Sequence, residues 1–218
     1  EWPFESEAKR ALEALAQGRN VRLAYAGPRR DRYGRHLAHV VVTSDDGAEI
    51  WLQGAMLAAG HARAYGLAGS YACSDALIAA EATARSARLG LWSSSAYAPR
   101  PAWRSRELAG LAGSYQIVEG KVRSASRGRE RIYLNFGRDW RDDFSLAIAP
   151  EIAAAEPAWA AGLLDLAGKT VRARGWIEIG NGPKIEIAHP SPSPGSPPSP
   201  ATRSRSSHAS DQAGAQTA

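Results

Sequence analysis

The chain has 218 residues, is 44% apolar and carries a formal net charge of +5, with a sequence pI of about 9.6. That is enough apolar material for at least one packed core, in one large domain or two small ones, and the basic balance suits a polyanionic partner better than an acidic chain would. A single cysteine, Cys73, excludes an internal disulfide framework and a cysteine-ligated zinc site, and no stretch is long and apolar enough to span a membrane.

Taken in order, Glu5 to Leu15 predicts a helix, with Ala8, Leu12 and Leu15 on one face and Gly18 placed to end it. Val21 to Tyr25 alternates apolar and other residues and predicts a half-buried strand. Residues 26–34 form a polar loop in which Arg29, Arg30 and Arg32 cluster, with Arg35 just after. Leu37 to Thr43 reads as a second strand, and Asp45-Asp46-Gly47 as a turn rather than as metal ligands. Leu52 to Ala59 predicts a short helix closed by Gly60, and His61 to Tyr65 an extended stretch. Cys73 sits near a helix start as a small apolar residue. Ser74 or Asp75 caps a helix from Ala76 to Leu89, ended by Gly90, with Leu91 and Trp92 folding back onto it. Residues 93–113, with Pro99, Pro101 and several arginines, read as a boundary.

Beyond it, Tyr115 to Val122 and Arg131 to Phe136 read as strands joined by a Ser/Arg/Gly turn, and Phe144 to Ile148 as a third. Pro150 opens a helix of about 14 residues, proline being suited to a first turn. Val171 to Glu178 and Lys184 to Ile187 are strands flanking a Gly180-Asn181-Gly182-Pro183 turn. This β-β-β-α-β-β order is that of an OB-fold, a small Greek-key barrel. From about Pro190 the chain is Pro, Ser, Ala, Thr and Gly, too poor in apolar surface to offset ordering entropy, so disorder is expected.

The chemistry sits in Asp31-Arg32-Tyr33-Gly34-Arg35, followed by the strand. Gly34 permits a tight turn. Arg35 at the strand start presents a planar fork that grips two phosphate oxygens, as lysine cannot. This run, with Trp51-Leu52-Gln53-Gly54, Leu57-Ala58-Ala59-Gly60-His61-Ala62, Glu81-Ala82-Thr83-Ala84-Arg85 and Leu89-Gly90-Leu91-Trp92, resembles the thermonuclease (staphylococcal nuclease-like) family over roughly residues 1–93. The resemblance implies an OB-type barrel with helices, and a calcium-dependent nuclease cleaving DNA and RNA. By position it implies that Arg35 is catalytic, contacting the scissile phosphate. It implies that Arg32 and Tyr33 line the nucleotide pocket and that Tyr65 lies near it, the loop there differing in length. It gives Glu81 and Trp92 structural places.

The family's first arginine, calcium-binding aspartates and D-x-P-E-like segment with the water-activating glutamate fall before the first helix, where this chain opens; no metal ligand is assigned here. Ala149-Pro150-Glu151 is not a substitute, since it begins a helix and has no aspartate before it. The chain starts at Glu1 without a leader pattern, which points to missing sequence. Family members are often exported, so an exported or periplasmic site is in keeping with the resemblance. The second part resembles the extra C-terminal domain of some bacterial thermonuclease-like proteins, through Tyr133-Leu134-Asn135-Phe136-Gly137, Asp139-Trp140, Gly175-Trp176 and Asn181-Gly182-Pro183. Tyr133, Phe136, Trp140 and Trp176 are candidates for base stacking, with core the favoured reading for each.

The expectation is therefore a mostly β protein with α elements (α+β): a partial OB-type nuclease barrel, a second OB-like barrel and a disordered tail. The divisions are 1–97, a linker 98–113, 114–190 and a tail 191–218. The function expected is a calcium-dependent nuclease acting on single-stranded or denatured nucleic acid in its intact form, this chain alone being inactive. The alternative is a non-catalytic module binding nucleic acid or protein through two OB-type barrels. A third reading is an envelope adaptor acting through its Pro/Ser tail.

Overall fold

The first helix, α1, spans Glu5–Ala16. Glu5 and Glu7 lie in its first turn, where carboxylates complement the helix dipole. The computed structural model that places it describes residues 3–25, 27–31, 33–65 and 73–187. Leu15 and Ala16 pack against a small core of Val42, Leu52 and Met56. The first sheet is antiparallel, ordered β1 (Val21–Ala24), β2 (His39–Thr43) and β3 (Glu49–Trp51). β3 is absent from the sequence reading. It forms because the Asp45-Asp46-Gly47 turn returns the chain at once, with Ser44 N–H donating to the Ala48 carbonyl at 2.9 Å. β1 was expected half-buried, yet Val21 is 49% and Leu23 43% exposed, because β1 is the edge of the sheet.

β3 runs into α2 (Leu52–Ala58), which packs on α3 (Ser74–Ser86). Neither Ser74 nor Asp75 caps α3. Cys73 occupies that position with φ +62°, exposed and making no side-chain capping bond. The two helix ends meet at Gly60 and Gly90, with φ +76° and +51°. A Cβ on Gly60 would overlap the Leu89 carbonyl and one on Gly90 the Gly60 carbonyl, and Leu91 N–H donates to the Gly60 carbonyl at 2.9 Å. Only glycine permits both the backbone angle and this approach. Leu91 and Trp92 fold back as expected and bury beside Ala84 of α3.

Residues 93–113 are structured rather than free. β4 (Arg100–Pro101) adds a parallel edge to the second sheet, where a missing proline N–H is harmless. α4 (Ser105–Ala109) buries Leu108 in the second core, and Ala102 is buried beside it. The remaining strands are β5 (Tyr115–Lys121), β6 (Ser124–Arg127), β7 (Ile132–Asn135), β8 (Ser145–Ile148), β9 (Thr170–Ile179) and β10 (Pro183–Ile187). The stretch read as a Ser/Arg/Gly turn is largely β6; the reversal itself closes at Gly128, which donates to Arg131 O. The helix expected from Pro150 is broken into α5 (Pro150–Ala155) and α6 (Pro157–Gly162). Pro157 cannot donate within a helix but starts one well.

The seven-stranded sheet is ordered β4-β5-β9-β10-β8-β7-β6, with β8 and β10 parallel. β5 and β6 lie far apart in that order but only Val122 and Arg123 separate them in sequence. The sheet must therefore curl into a half-barrel, and buried Val122 marks the bend. Phe144, Ile132, Ile148, Ile177 and Ile185 fill its inside, each fully buried large side chain contributing on the order of 1.5–3 kcal/mol. The protein is thus a mixed α+β structure, a small sheet with helices joined to a curled sheet. The expected tail, 191–218, lies outside the described residues.

The join is made by Glu81 of α3, which is fully buried. Its carboxylate accepts from Ala64 N–H at 2.8 Å, from Arg85 at 2.8 Å and from both terminal nitrogens of Arg174 on β9 at 2.8 and 3.0 Å. Beside it Tyr115 donates to the Ala64 carbonyl, and Arg63 donates to the Tyr115 carbonyl. Burial pushes the Tyr115 phenol up to about 12, against the pull of the Arg174 and Arg63 guanidinia. Ile117 of β5 completes the contact by packing among Ala84, Leu91 and Trp92.

Removing one partner of a buried ion pair strands the other. Glu81→Ala is expected to cost about 3–5 kcal/mol in urea unfolding. Adding Arg174→Ala should then cost far less than it does alone; additive losses would show that the two are not coupled.

Candidate functional site

The basic loop between β1 and β2 is organised by Asp31. One carboxylate oxygen accepts the N–H groups of Tyr33 and Arg35, both at 2.9 Å, and the other accepts Arg35 Nε at 2.6 Å. The backbone closes the same turn: Asp31 N–H donates to Arg35 O and Gly34 N–H to Asp31 O, each at 3.0 Å. Gly34 has φ +78°, which lets the chain reverse there. Arg30 and His36 bridge the base of the loop, Arg30 donating to Gly34 O as well.

Arg35 is thereby held from behind. Its bond to Asp31 uses Nε, while the side chain remains 74% exposed and its guanidinium carbon lies 5.2 Å from the Tyr33 ring centre. Burial works to raise the Asp31 carboxyl, but hydrogen bonds from the Arg35 side chain and from the Arg35 and Tyr33 amides outweigh it. The carboxyl is held below its ordinary value, hence charged at neutral pH. At the foot of the loop the Arg29 guanidinium stacks over Tyr25 at 4.7 Å, and the Tyr25 hydroxyl meets His36 Nδ1 at 2.7 Å. The sequence reading had no role for Asp31, Tyr25 or His36. The spacing of Asp31 and Arg35 around a glycine was the available signal.

The residues predicted from sequence are not all brought together. Tyr33 and Arg35 share the loop. Arg32 lies outside the described residues. Tyr65 makes its contacts elsewhere: its ring lies 5.0 Å from that of Tyr115, and its hydroxyl accepts from Trp176 Nε1 at 3.2 Å. That cluster belongs to the join between the two sheets.

The four candidate aromatics separate in the same way. Phe136 is half-buried against Phe144, and Trp176 lies with Tyr65 and Tyr115. Tyr133 and Trp140 are exposed and line a cleft over β6, β7, β8 and β10 instead.

Among the described residues no group of three or more His, Cys, Asp or Glu side chains is arranged to hold a metal ion. Asp46 instead accepts from the Ser44 hydroxyl and Ala48 N–H, and Asp45 pairs with Arg19, so this pair serves the turn. Glu151 starts α5. No helix among the described residues is long and apolar enough to cross a membrane.

The fold and the loop define a class: an α+β protein that offers a pre-oriented guanidinium beside a phenol, a surface suited to phosphate groups. Residues 1–94 match the family model described as staphylococcal nuclease homologue, and this part of the chain is a domain of that family. No curated protein matches the chain.

The Asp31 hub has a pH signature. Its folded-state carboxyl is depressed, so the order it contributes is present above the ordinary carboxylate range and is lost as pH falls through the lowered value. The Arg35 Nε–H proton signal should stay sharp and slowly exchanging from neutral pH down into that range, then broaden. Asp31→Asn should broaden it at all pH values. An unchanged signal in that variant would show that Asp31 does not hold Arg35.

Proposed function

We propose that the protein is a nuclease which, in its intact form, hydrolyses nucleic-acid phosphodiester bonds with calcium. The observation that carries this reading is the Asp31-braced, outward-facing Arg35 within the family domain. In phosphodiester hydrolysis, charge builds on the phosphoryl oxygens. A guanidinium fixed beforehand stabilises that charge without reorganising at the moment of reaction. Tyr33 and Arg32 would flank the nucleotide, and the chain's basic balance favours approach of a polyanion.

The donor set does not fit a calcium ion among the described residues, because hard cations want six to eight oxygens and both Asp31 oxygens are already engaged. Among the described residues the carboxylate bonded to Arg35 is Asp31, whose oxygens are engaged by Arg35 and Tyr33 and so do not serve as a general base for water. We infer that the intact domain supplies both from further strands. The exposed Val21 and Leu23 at the β1 edge support this, since additional strands there would pair the edge and cover apolar surface. We also take the curled second sheet as an OB-type barrel with β5 and β6 as halves of one bent strand; the parallel β8–β10 pair and the helices between β8 and β9 support it. The competing reading is a binding module without catalysis.

Two experiments test the proposal. The 218-residue chain alone is expected to show no calcium-stimulated cleavage of denatured DNA; robust cleavage by it would overturn the view that the machinery here is incomplete. In a calcium-active form, Arg35→Lys keeps charge but loses the fork. Turnover should fall about 10²-fold or more while substrate binding weakens much less. Near-normal turnover would return Arg35 to an ordinary surface ion pair.

A further inference from the structure

A cleft of about 510 Å³ lies on the outer face of β6, β7, β8 and β10, within the ~300–1,000 Å³ span of ligand-binding clefts. Strand register builds its floor. Across the sheet, Ser126, Tyr133 and Ala147 stand in one row, and Asn135, Ser145 and Lys184 in the next. Ile132 and Leu134, alternating with Tyr133 and Asn135 along β7, point into the core. The floor is therefore one exposed phenol among small neighbours, beside a row of amide, hydroxyl and ammonium groups. Small residues beside an aromatic leave its face room to be covered.

The walls are fixed in advance. Trp140 stands on the loop between β7 and β8, 51% exposed, with the Arg141 guanidinium 4.6 Å from its ring centre. Asp143 ties that loop down by accepting from Asp139 N–H and from the Ser105 hydroxyl. The opposite wall is the Gly180–Gly182 turn, and a Cβ on Gly182 would press into the Asp142–Asp143 backbone. The two walls thus brace each other.

Charge selects the occupant. Residues 121–145 hold seven cations, Lys121 and six arginines, against four carboxylates. Asp143 and Asp139 are spent on holding the loop, Asp139 accepting from Arg141 N–H. Lys184 pairs with Glu178 at 3.5 Å, but an ammonium has three donors and keeps others for a ligand. Two exposed aromatics, an amide-and-hydroxyl row and a rim carrying Lys184 and Arg141 match a single-stranded polynucleotide. Its bases offer π-faces and polar edges, and its backbone is anionic. A neutral saccharide would use the aromatics but gain nothing from the rim.

We propose that this cleft binds single-stranded nucleic acid, with bases stacking on Tyr133 and Trp140, polar edges meeting Asn135 and Ser145, and phosphates meeting Lys184 and Arg141. The site is separate from the Arg35 loop and does not rest on cleavage there.

The test uses the full 218-residue chain with a fluorescein-labelled oligothymidylate of about ten nucleotides, in EDTA, read by anisotropy. Binding should weaken steeply with salt. Trp140→Ala and Tyr133→Ala should each weaken it about tenfold or more, and Trp140→Phe should restore most of the loss. Trp103→Ala, at an exposed tryptophan that does not line the cleft, should leave it unchanged. Near-ultraviolet circular dichroism identifies variants that stay folded, and the Phe variant keeps the test open if an Ala variant does not. Absence of salt-sensitive binding, preference for duplex over single strand, or binding indifferent to folded Trp140 and Tyr133 variants would overturn the proposal. Loss on Arg35→Ala alone would place the strand on the nuclease-family domain instead, overturning this site while leaving that reading standing.

Discussion

A carboxylate with no exposed surface must be fully paired or it destabilises the fold, and Glu81 meets that demand with partners from three places. Arg85 comes from its own helix, the Ala64 amide from the segment after α2, and Arg174 from the second sheet. The pairing fixes where the segment 61–65 can run and how β9 approaches α3. Arg174 also donates to the Ala64 carbonyl, so the same guanidinium serves both the carboxylate and the backbone it holds. The nuclease-family part and the curled sheet therefore share a charged centre and, through Ile117, an apolar one. The family part has small cores of its own, Val42, Leu52 and Met56 in one and Ala84, Leu91 and Trp92 in the other, against the large one of the second sheet. A thin core gains stability from a second surface to bury against.

The same economy of carboxylates appears in the Arg35 loop, with the opposite exposure. Asp31 is only 13% exposed and Arg35 74% exposed, so the acid is part of the scaffold and the base is offered to solvent. An arginine held through Nε loses less freedom on meeting a phosphate than one on an unbraced loop. Tyr33 beside it presents a flat apolar surface. The loop is thus pre-shaped for an anion, although the arginine alone supplies neither a calcium site nor a general base for water.

Exposed aromatics are informative here because the structure divides them. Trp176 and Tyr65 belong to the join and Phe136 to the core edge, while Tyr133 and Trp140 face a cleft with basic surroundings. Sequence composition treats all of them alike. What distinguishes them is what lies over each: the two-residue period of β7 leaves Tyr133 and Asn135 outside over a cleft, while Trp176, also outward on β9, is met by Tyr65 and Tyr115.

Local signals in the sequence determined a good deal. Helical periodicity gave α1, α2 and α3 to within a few residues, the glycines at 60 and 90 marked helix ends, and five short runs in register marked the nuclease family over the stretch that its model matches. Arg35 was legible because glycine, arginine and a following strand are contiguous. What local pattern could not give was anything decided by distant partners. β3 and β6 are too short to show a period, and exist because a neighbouring strand supplies their hydrogen bonds. Pro157 broke a helix that propensity alone would continue. The stretch 98–113 looks like a linker by composition, but Leu108 and Ala102 find a core made by residues further along the chain. Glu81 and Arg174 are 93 residues apart, and Tyr65 and Trp176 are 111 apart. No periodicity within either segment announces the other, because a buried charge finds its partner through the packing of whole sheets and helices, and that is settled only in three dimensions.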